Sequence, residues 1–219
     1  GRPSPDSYSF SSRNQAISAL IMWFRRHYEV AIPEQPGDIV RGSPKDFDPT
    51  YLSHEETREV IENAAVACGN AGCEAALRLS YDAILRASEL AFLTVGDVSL
   101  EDGEVAVTAM KGSRDSVLTV SEPTIDALGE YLRAADHSTG PLFRNNDGNG
   151  WSKSSWATHV RKYHVPEGSH CWGRHTPILH MFQAGKEFGD VYRRARHQSP
   201  AQTAKYARYV DVDVPSWGE

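Results

Sequence analysis

The sequence feature that most constrains the fold is a single pair of strand-like segments within an otherwise helical pattern. GEVAVTAM (103–110) and SVLTV (116–120) are rich in β-branched residues, and the KGSRD between them supplies Gly112 and Asp115 for a turn. The pattern predicts one β-hairpin with Lys111 at its turn. Because the flanking segments carry apolar residues at helical spacing, the sequence predicts a mainly α fold with a small antiparallel β-sheet, an α+β class.

The helical segments have clear starts and stops. Ser53 and Glu56 predict a capping box ahead of a helix over about 54–66, which the CGNAG segment ends. A second helix is predicted to begin near Cys73 and to run through AALRLSYDAILRASELAFL. Further helices are predicted over about 121–135, 152–163, 175–184, 188–195 and 200–209.

A segment rich in proline and glycine divides the chain. AIPEQPGDIVRGSPKDFDP, at 31–49, has the composition of a linker and follows one amphipathic helix. A lone helix is too small for a domain, so it is interpreted as the end of a truncated one. We expect a flexible start plus this helix at 1–30, the linker at 31–49, the main domain at 50–210 and a tail at 211–219.

Composition limits the setting of the protein. A chain of 219 residues with 40% hydrophobic content can bury a core. Its three cysteines, at 68, 73 and 171, are too few for a disulfide framework, so a reduced intracellular setting is expected. The apolar run AISALIMWF is about half the roughly 20 residues that span a bilayer. We therefore expect no membrane partner.

Charge is distributed unevenly along the chain. Residues 1–150 carry 13 Lys and Arg against 23 Asp and Glu, whereas residues 151–210 carry 10 against 3. Six of the nine histidines also lie in the basic segment. This asymmetry is typical of a segment that faces a polyanion, although a solvated basic helix face would produce the same numbers.

The cysteines and histidines offer one metal-binding alternative. A structural zinc site can be assembled on paper from Cys68, Cys73, His170 and Cys171. The histidines of SHCWGRHTP and the next one are five residues apart, however, and do not give the i, i+4 pair that shares a helical face. We therefore expect no metal and no other cofactor. If zinc is bound after all, the chain is instead interpreted as a zinc-stabilised helical interaction protein.

Cleavage of a phosphodiester without metal needs cations for the phosphate oxygens, an attacking oxygen and an acid for the leaving oxygen. Arg86 in LRASEL and Arg174 in GRHT offer forked guanidinium groups for the first task. Tyr206 and Tyr209 on the last predicted helix offer phenols. Lys111 at the hairpin turn is suited to the acid role.

The order of these pieces resembles the catalytic domain of the tyrosine recombinase/integrase family. That family has an arginine in an LR-x-SEL segment, a lysine in a β-hairpin, His-x-x-Arg followed by HT, a second His or Trp, and a tyrosine about nine residues later. The matching motifs LRASEL, MKGSRD, GRHT, ARHQSP and TAKYARY carry Arg86, Lys111, Arg174, His197 and Tyr206. The resemblance covers about 50–210, and the helix at 14–28 resembles the end of the family's core-binding domain.

One position departs from the family pattern. Cys171 stands three residues before Arg174, where the family usually has histidine, and His170 lies one residue earlier. Either a bulge brings His170 into the site or Cys171 replaces the imidazole. A thiol transfers protons poorly near neutral pH, so both residues are kept as candidates.

The resemblance implies a site-specific DNA recombinase or integrase of a virus or mobile element. Tyr206 would form a 3′-phosphotyrosine link, without metal or ATP, while Arg86 and Arg174 bind the phosphate. Lys111 would protonate the leaving 5′ oxygen and His197 would donate a hydrogen bond to the phosphate. The implied partners are double-stranded DNA recombination sites and three further copies of the chain, with which it forms a tetramer. The implied location is the cytoplasm, at the nucleoid, or the cytoplasm of a host cell.

Other interpretations remain open on the sequence. Arg86 can simply pair with Glu89 on one helix face, and Tyr209 can replace Tyr206 as nucleophile. Trp23, Trp156 and Trp172 are interpreted as packing residues. Alternative functions are a DNA-binding protein of the same fold with weak or no cleavage, a type IB topoisomerase and a telomere resolvase. The apolar tail is a hypothetical docking segment for a neighbouring subunit.

Overall fold

The computed structural model describes residues 20, 47–69, 71–108, 115–145 and 147–210. The chain divides into two units, Gly1–Asp48 and Pro49–Glu219, and every element described below belongs to the second. The predicted N-terminal helix apart from Leu20, most of the linker, Lys111 at the hairpin turn and the tail at 211–219 lie outside the described residues.

The regular structure in the described part of the second unit comprises nine α-helices, three strands, a 3-10 helix at Val95–Asp97 and a π-helical turn at Cys171–His175. The helices are α1 His54–Glu62, α2 Ala64–Cys68, α3 Ala71–Asp82, α4 Ala87–Phe92, α5 Glu122–Ala135, α6 Lys153–Tyr163, α7 Thr176–Gln183, α8 Phe188–Arg194 and α9 Pro200–Ala207. The strands are β1 Val98–Ser99, β2 Glu104–Val107 and β3 Ser116–Thr119. The predicted class, mainly α with a small antiparallel sheet, is confirmed.

The sheet has the order β1-β2-β3, and both pairs are antiparallel. Val105 pairs with Leu118, and both are buried, whereas the neighbouring Val117 is exposed. This alternation is the period-two pattern that predicted the hairpin. The short edge strand β1 was not predicted, because two residues are too few to show alternation.

Helix α3 lies at the centre of the core. Leu77 and Leu79 on α3 are fully buried, and the helix packs against α5, α2 and the turn at Cys171–His175. Trp172 in that turn donates from its indole nitrogen to the Leu77 carbonyl and to the Ser80 hydroxyl, each at 3.0 Å. The prediction that Trp156 and Trp172 are packing residues is confirmed by their nearly complete burial.

The predicted uninterrupted helix from Cys73 through LRASELAFL is wrong. Helix α3 ends at Asp82, α4 begins at Ala87, and Ile84 between them has a φ of 48°. The Leu85 amide turns back to donate to the Ser80 carbonyl at 2.9 Å. The break places Arg86 at the N-cap of α4 and leaves several carbonyls at the end of α3 without helical donors.

One smaller difference concerns a helix boundary. The predicted helix over 54–66 divides at Asn63 into α1 and α2, although the predicted capping box of Ser53 and Glu56 is present. None of the helices in the described part of the chain combines the length and apolar character that crossing a bilayer requires.

Candidate active site

The break between α3 and α4 is a binding point for arginine side chains. Three consecutive carbonyls accept hydrogen bonds from three guanidinium groups that arrive from the C-terminal third of the chain. The carbonyls belong to Asp82, Ala83 and Ile84, and the donors are Arg174, Arg194 and Arg196. A cluster of guanidinium groups, two of them buried, is thereby assembled around the end of α3, and Arg86 lies at its edge.

Arg174 is the most deeply placed of the predicted site residues. It is 2% exposed, and its Nη1 donates to the carbonyls of Ile84 at 2.8 Å and Ala195 at 2.9 Å. Its Nη2 is buried and has no hydrogen-bond partner among the described residues. Burial, followed by repulsion from Arg86, lowers the pKa of Arg174 to about 9. This guanidinium keeps donor capacity for an anion that enters the site.

Arg86 is paired with Glu89, as one sequence interpretation proposed. Its Nη1 lies 2.9 Å from Glu89 Oε1, and its backbone amide donates to Glu89 Oε2 at 2.8 Å. The Glu89 carboxylate is fully buried and also binds Arg196 Nη2 at 2.7 Å. One carboxylate therefore serves two guanidinium groups, and the site retains excess positive charge. Neither Glu89 nor Arg196 was among the predicted site residues.

A π-helical turn lies at the position where the sequence departs from the family pattern. Residues Cys171–His175 form this turn, and the Thr176 amide donates to the Cys171 carbonyl five residues back. A π-turn accommodates one residue more than an α-turn and recurs at functional sites. Gly173 permits the turn to approach the break, because a Cβ there would lie 2.5 Å from the Leu85 carbonyl oxygen.

The turn sends His170 and Cys171 in different directions. The His170 ring lies 4.4 Å from the His175 ring, between centroids. His170 keeps exposed surface, yet surrounding protein atoms, and then the charges of Arg174 and Arg86, lower its pKa. Cys171 is buried, and its Sγ contacts Thr176 Oγ1 at 3.7 Å. Burial raises the pKa of this thiol, and the charged groups that act on it are Glu167 and Glu56.

Tyr206 contacts a histidine that was not among the predicted site residues. The Tyr206 hydroxyl lies 3.0 Å from His175 Nδ1, and Tyr206 is 5% exposed. Burial raises the pKa of the phenol, while the charges of Arg174 and Arg86 act in the opposite direction. Burial, then His170 and Arg174, lowers the pKa of His175 to about 4, so its imidazole is neutral at pH 7.

His197 lies on the other side of the tyrosine. Its ring is stacked on Tyr206 with 6.1 Å between centroids, and its Nδ1 lies 2.7 Å from the Thr203 hydroxyl. Burial, then the charges led by Arg174, lowers the pKa of His197 to about 3. Tyr209, the alternative nucleophile, is 38% exposed.

The structure therefore brings together five of the seven predicted site residues. They are Arg86, His170, Arg174, His197 and Tyr206. Cys171 packs into the core beside them, and Lys111 lies outside the described residues. The signal for His175 was its place directly after Arg174, in the HT that the motif includes. The cluster offers guanidinium donors for an anion, a buried phenol and neutral imidazoles that can accept a proton.

The surface of the C-terminal third is basic. Seven of the ten Lys and Arg residues between 151 and 210 are exposed, namely Lys153, Arg161, Lys162, Lys186, Arg193, Lys205 and Arg208. The other three belong to the arginine set around the helix break. The positive charge detected in the sequence thus comprises a solvent-facing part and an internal part.

Solved structures share this fold. The crystal structure of XerA recombinase superposes with a TM-score of 0.66 and 24% identity, over 94% of this chain and 74% of that one. The Tn1549 transposon integrase in complex with transposon right end DNA gives a TM-score of 0.68 and 16% identity, over 97% and 84%. The structure of XerH bound to its difH substrate gives a TM-score of 0.68 and 17% identity, over 92% of this chain and 63% of XerH.

Sequence relatives agree with the fold. The tyrosine recombinase XerC of Pelobacter propionicus is 27% identical over 217 residues, which is 93% of this chain and 70% of XerC. The tyrosine recombinase XerA of Pyrococcus horikoshii is 27% identical over 208 residues, which is 92% of this chain and 70% of XerA.

The family model described as the phage integrase family matches residues 50–211. The chain therefore belongs to the phage integrase family, and its enzyme class is that of the tyrosine recombinases. The resemblance that the five motifs indicated is confirmed.

Proposed function

We propose that this chain cleaves and rejoins double-stranded DNA by transesterification, with Tyr206 as the nucleophile. The observation that carries the proposal is the contact of the buried Tyr206 hydroxyl with His175 beside two arginines that act on the same phenol. The XerH and Tn1549 integrase structures, which share the fold, contain DNA. The basic surface of residues 151–210 has the charge that a DNA backbone requires.

The proposed reaction exchanges one phosphate ester for another. The Tyr206 oxygen bonds to the phosphorus, the bond between phosphorus and the 5′ oxygen breaks, and the protein carries a 3′-phosphotyrosine. The phenol proton passes to a neighbouring base, and the 5′ oxygen takes up a proton from an acid. A 5′-hydroxyl later reverses the step. Because the phosphotyrosine ester retains the free energy of the phosphodiester that was cleaved, ATP is not required.

The phosphate is held by guanidinium groups. Arg174 has a buried Nη2 without a partner in the described part of the chain, and Arg86 is held at the N-cap of α4 by Glu89. Both can donate to the non-bridging oxygens, where charge builds up in the transition state. Since the arginines supply this charge, the chemical step is proposed to proceed without a metal ion.

The histidines are assigned proton transfer from the phenol and a hydrogen bond to the phosphate. The His175 imidazole contacts the Tyr206 hydroxyl, so we assign His175 the role of accepting the proton that the phenol loses. His170 lies against His175 and can relay that proton, whereas the Cys171 thiol faces Thr176. His197, oriented by Thr203, is assigned a hydrogen bond to the phosphate. The acid role of Lys111 stays a prediction of the sequence.

The assembly belongs to the same proposal. Recombination joins two DNA sites, so we propose that four copies of the chain assemble on them. The tail at 211–219 is the candidate docking segment, and assembly on DNA that is unchanged by its removal would contradict that role. The proposed place of action is the nucleoid or the cytoplasm of a host cell.

Covalent capture on DNA of random sequence tests the proposed chemistry and selects the DNA site in the same step. The chain is incubated with a library of nicked duplexes, in which the short fragment released by cleavage diffuses away and prevents religation. Complexes that survive a denaturing detergent are isolated, and their DNA is sequenced. We expect adducts that share one sequence, and we expect Tyr206→Phe to abolish them.

Tyr209→Phe is the matched control, since it removes the same hydroxyl three residues away. It is expected to retain the adducts. Specific binding of DNA without any adduct would overturn the cleavage proposal and favour a binding protein of this fold. Adducts that persist in Tyr206→Phe and disappear in Tyr209→Phe would overturn the choice of nucleophile.

A further inference from the structure

Two cysteines and two histidines meet on the side of the fold formed by α2, α3 and α6. Cys68 ends α2, Cys73 lies in the first turn of α3, His159 lies on α6, and His164 is the C-cap of α6. One ligand atom from each of the four lies within 4.8 Å of those of the other three. None of these residues takes part in the proposed cleavage reaction.

The contacts within this group leave polar atoms unsatisfied. Cys73 Sγ lies 3.2 Å from His159 Nε2, and the sulfur atoms of Cys68 and Cys73 are paired as a disulfide. Both ring nitrogens of His164 are buried and lack a hydrogen-bond partner in the described part of the chain. A buried imidazole normally has a partner for at least one nitrogen, so an additional group is expected beside His164.

The spacing of the four residues is that of a zinc site. The cysteines form a Cys-x4-Cys pair and the histidines a His-x4-His pair, and both lie within the ranges found for structural zinc ligands. Tetrahedral zinc with bonds of about 2.0–2.3 Å brings its ligand atoms to roughly 3.5 Å from one another. The observed limit of 4.8 Å requires only small side-chain movements to reach that geometry.

We propose that Cys68, Cys73, His159 and His164 bind one Zn²⁺ ion that joins the α2–α3 corner to α6. The ion binds the reduced cysteines, so the Cys68–Cys73 disulfide is first opened by a thiol or phosphine reductant, which supplies two electrons. The two thiols then lose their protons to solvent as their thiolates bind the ion.

The position of the site explains what the metal would do. Helix α2 has five residues, which is too short for independent stability, and it is followed by Gly69 in a left-handed conformation. A metal bound to α2, α3 and α6 would fix this corner from two sides. The zinc alternative drawn from the sequence paired the same cysteines with His170 and Cys171, which the structure places in or beside the active site.

Metal analysis of the reduced chain tests the proposal. The chain is expressed in zinc-supplemented medium, purified with a phosphine reductant and dialysed, and its metal content is measured by plasma mass spectrometry. We expect about one zinc per chain. His164→Ala and Cys73→Ser are expected to lose most of it. His137→Ala and Cys171→Ser change the same residue types outside the group and are expected to keep it.

A second measurement does not depend on how the variants fold. Exchange of zinc for Co²⁺ in the unaltered chain is expected to give the intense visible bands of a tetrahedral cobalt site and a thiolate-to-cobalt charge-transfer band. A chelator is expected to lower the melting temperature of the unaltered chain. A reduced chain that binds neither metal would overturn the proposal. A Cys68–Cys73 disulfide found by peptide mapping of chain purified under reducing conditions would also overturn it.

Discussion

The hydroxyl of Tyr206 lies 3.0 Å from Nδ1 of His175, a residue that directly follows the buried Arg174. The imidazole is neutral at pH 7, because burial and neighbouring charges lower its pKa to about 4, and its Nδ1 is within hydrogen-bond distance of the phenol that must lose a proton. Replacing His175 by alanine is expected to slow formation of the covalent adduct by about 10²- to 10⁴-fold. Single-turnover kinetics on a nicked duplex that traps the adduct measures this rate.

DNA affinity is the control for that variant. Binding measured at fixed salt is expected to stay close to that of the unaltered chain, because the basic surface is untouched. A His175→Ala variant that forms the adduct at the original rate would show that the contact with Tyr206 has no catalytic role.

The pair His170 and Cys171 gives a second prediction. The π-helical turn places the His170 ring against His175 and turns the Cys171 thiol toward Thr176. We expect His170→Ala to reduce the cleavage rate about 10²-fold or more, and Cys171→Ala to leave it within a few-fold of the original. The reverse order of the two rates would mean that the thiol fills the family's histidine position.

Glu89 gives a prediction about stability. Its carboxylate is fully buried between Arg86 and Arg196, so Glu89→Gln leaves a buried guanidinium without its counter-charge. We expect a loss of about 3–5 kcal/mol in the free energy of unfolding, measured by urea denaturation. Glu74→Gln is the matched control. The Glu74 pair with Arg78 is partly exposed, and its loss is expected to cost less than about 1 kcal/mol.

Acid sensitivity follows from His180. His180 Nδ1 lies 2.6 Å from the Tyr81 hydroxyl, and His180 Nε2 lies 2.8 Å from the Leu52 carbonyl oxygen. Because a carbonyl oxygen only accepts, Nε2 must be the donor in this contact. This arrangement suits the neutral ring, and burial, then the charge of His54, lowers the pKa from 6.5 to about 4. The unfolded chain therefore binds the proton first, and stability is lost as the pH falls from about 6.5 to 4.

The expected loss from His180 is at most about 3.4 kcal/mol. Urea denaturation at several pH values between 7 and 4 measures it, and His180→Gln is expected to reduce the slope in this window. An NMR titration of the His180 ring with a midpoint near 6.5 in the folded protein would contradict the prediction.

Local patterns were enough to predict much of the fold. The capping box at Ser53, the alternation in the hairpin and the apolar spacing of the helices depend on neighbours in the sequence. The break after Asp82 could not be predicted in this way. The residues at the break favour a helix, and the carbonyls that the break leaves without helical donors accept hydrogen bonds from arginines about 90 to 113 residues further along the chain. Tertiary contacts overrode local propensity there.

The site shows the same division. Arg86, Arg174 and Tyr206 were identified from motifs, and they lie together in the structure. The contact of His175 with Tyr206 joins residues 31 positions apart, and the cysteine–histidine group joins α2 and α3 to a helix some 86 residues later. Residue spacing within a motif carries no information on such distant pairs, so the zinc alternative drawn from the sequence combined the two cysteines with different partners from those of the proposed zinc site.

The most direct test of the proposed reaction is to identify the tyrosine that carries the DNA. Trypsin cleaves after Lys205 and Arg208, so Tyr206 and Tyr209 fall into different peptides. The captured adduct is digested with nuclease and trypsin, and its peptides are analysed by mass spectrometry. A 3′-phosphonucleotide on Tyr206 is the expected result. The same group on Tyr209, or on no tyrosine, would contradict the assignment of the buried Tyr206 as the nucleophile.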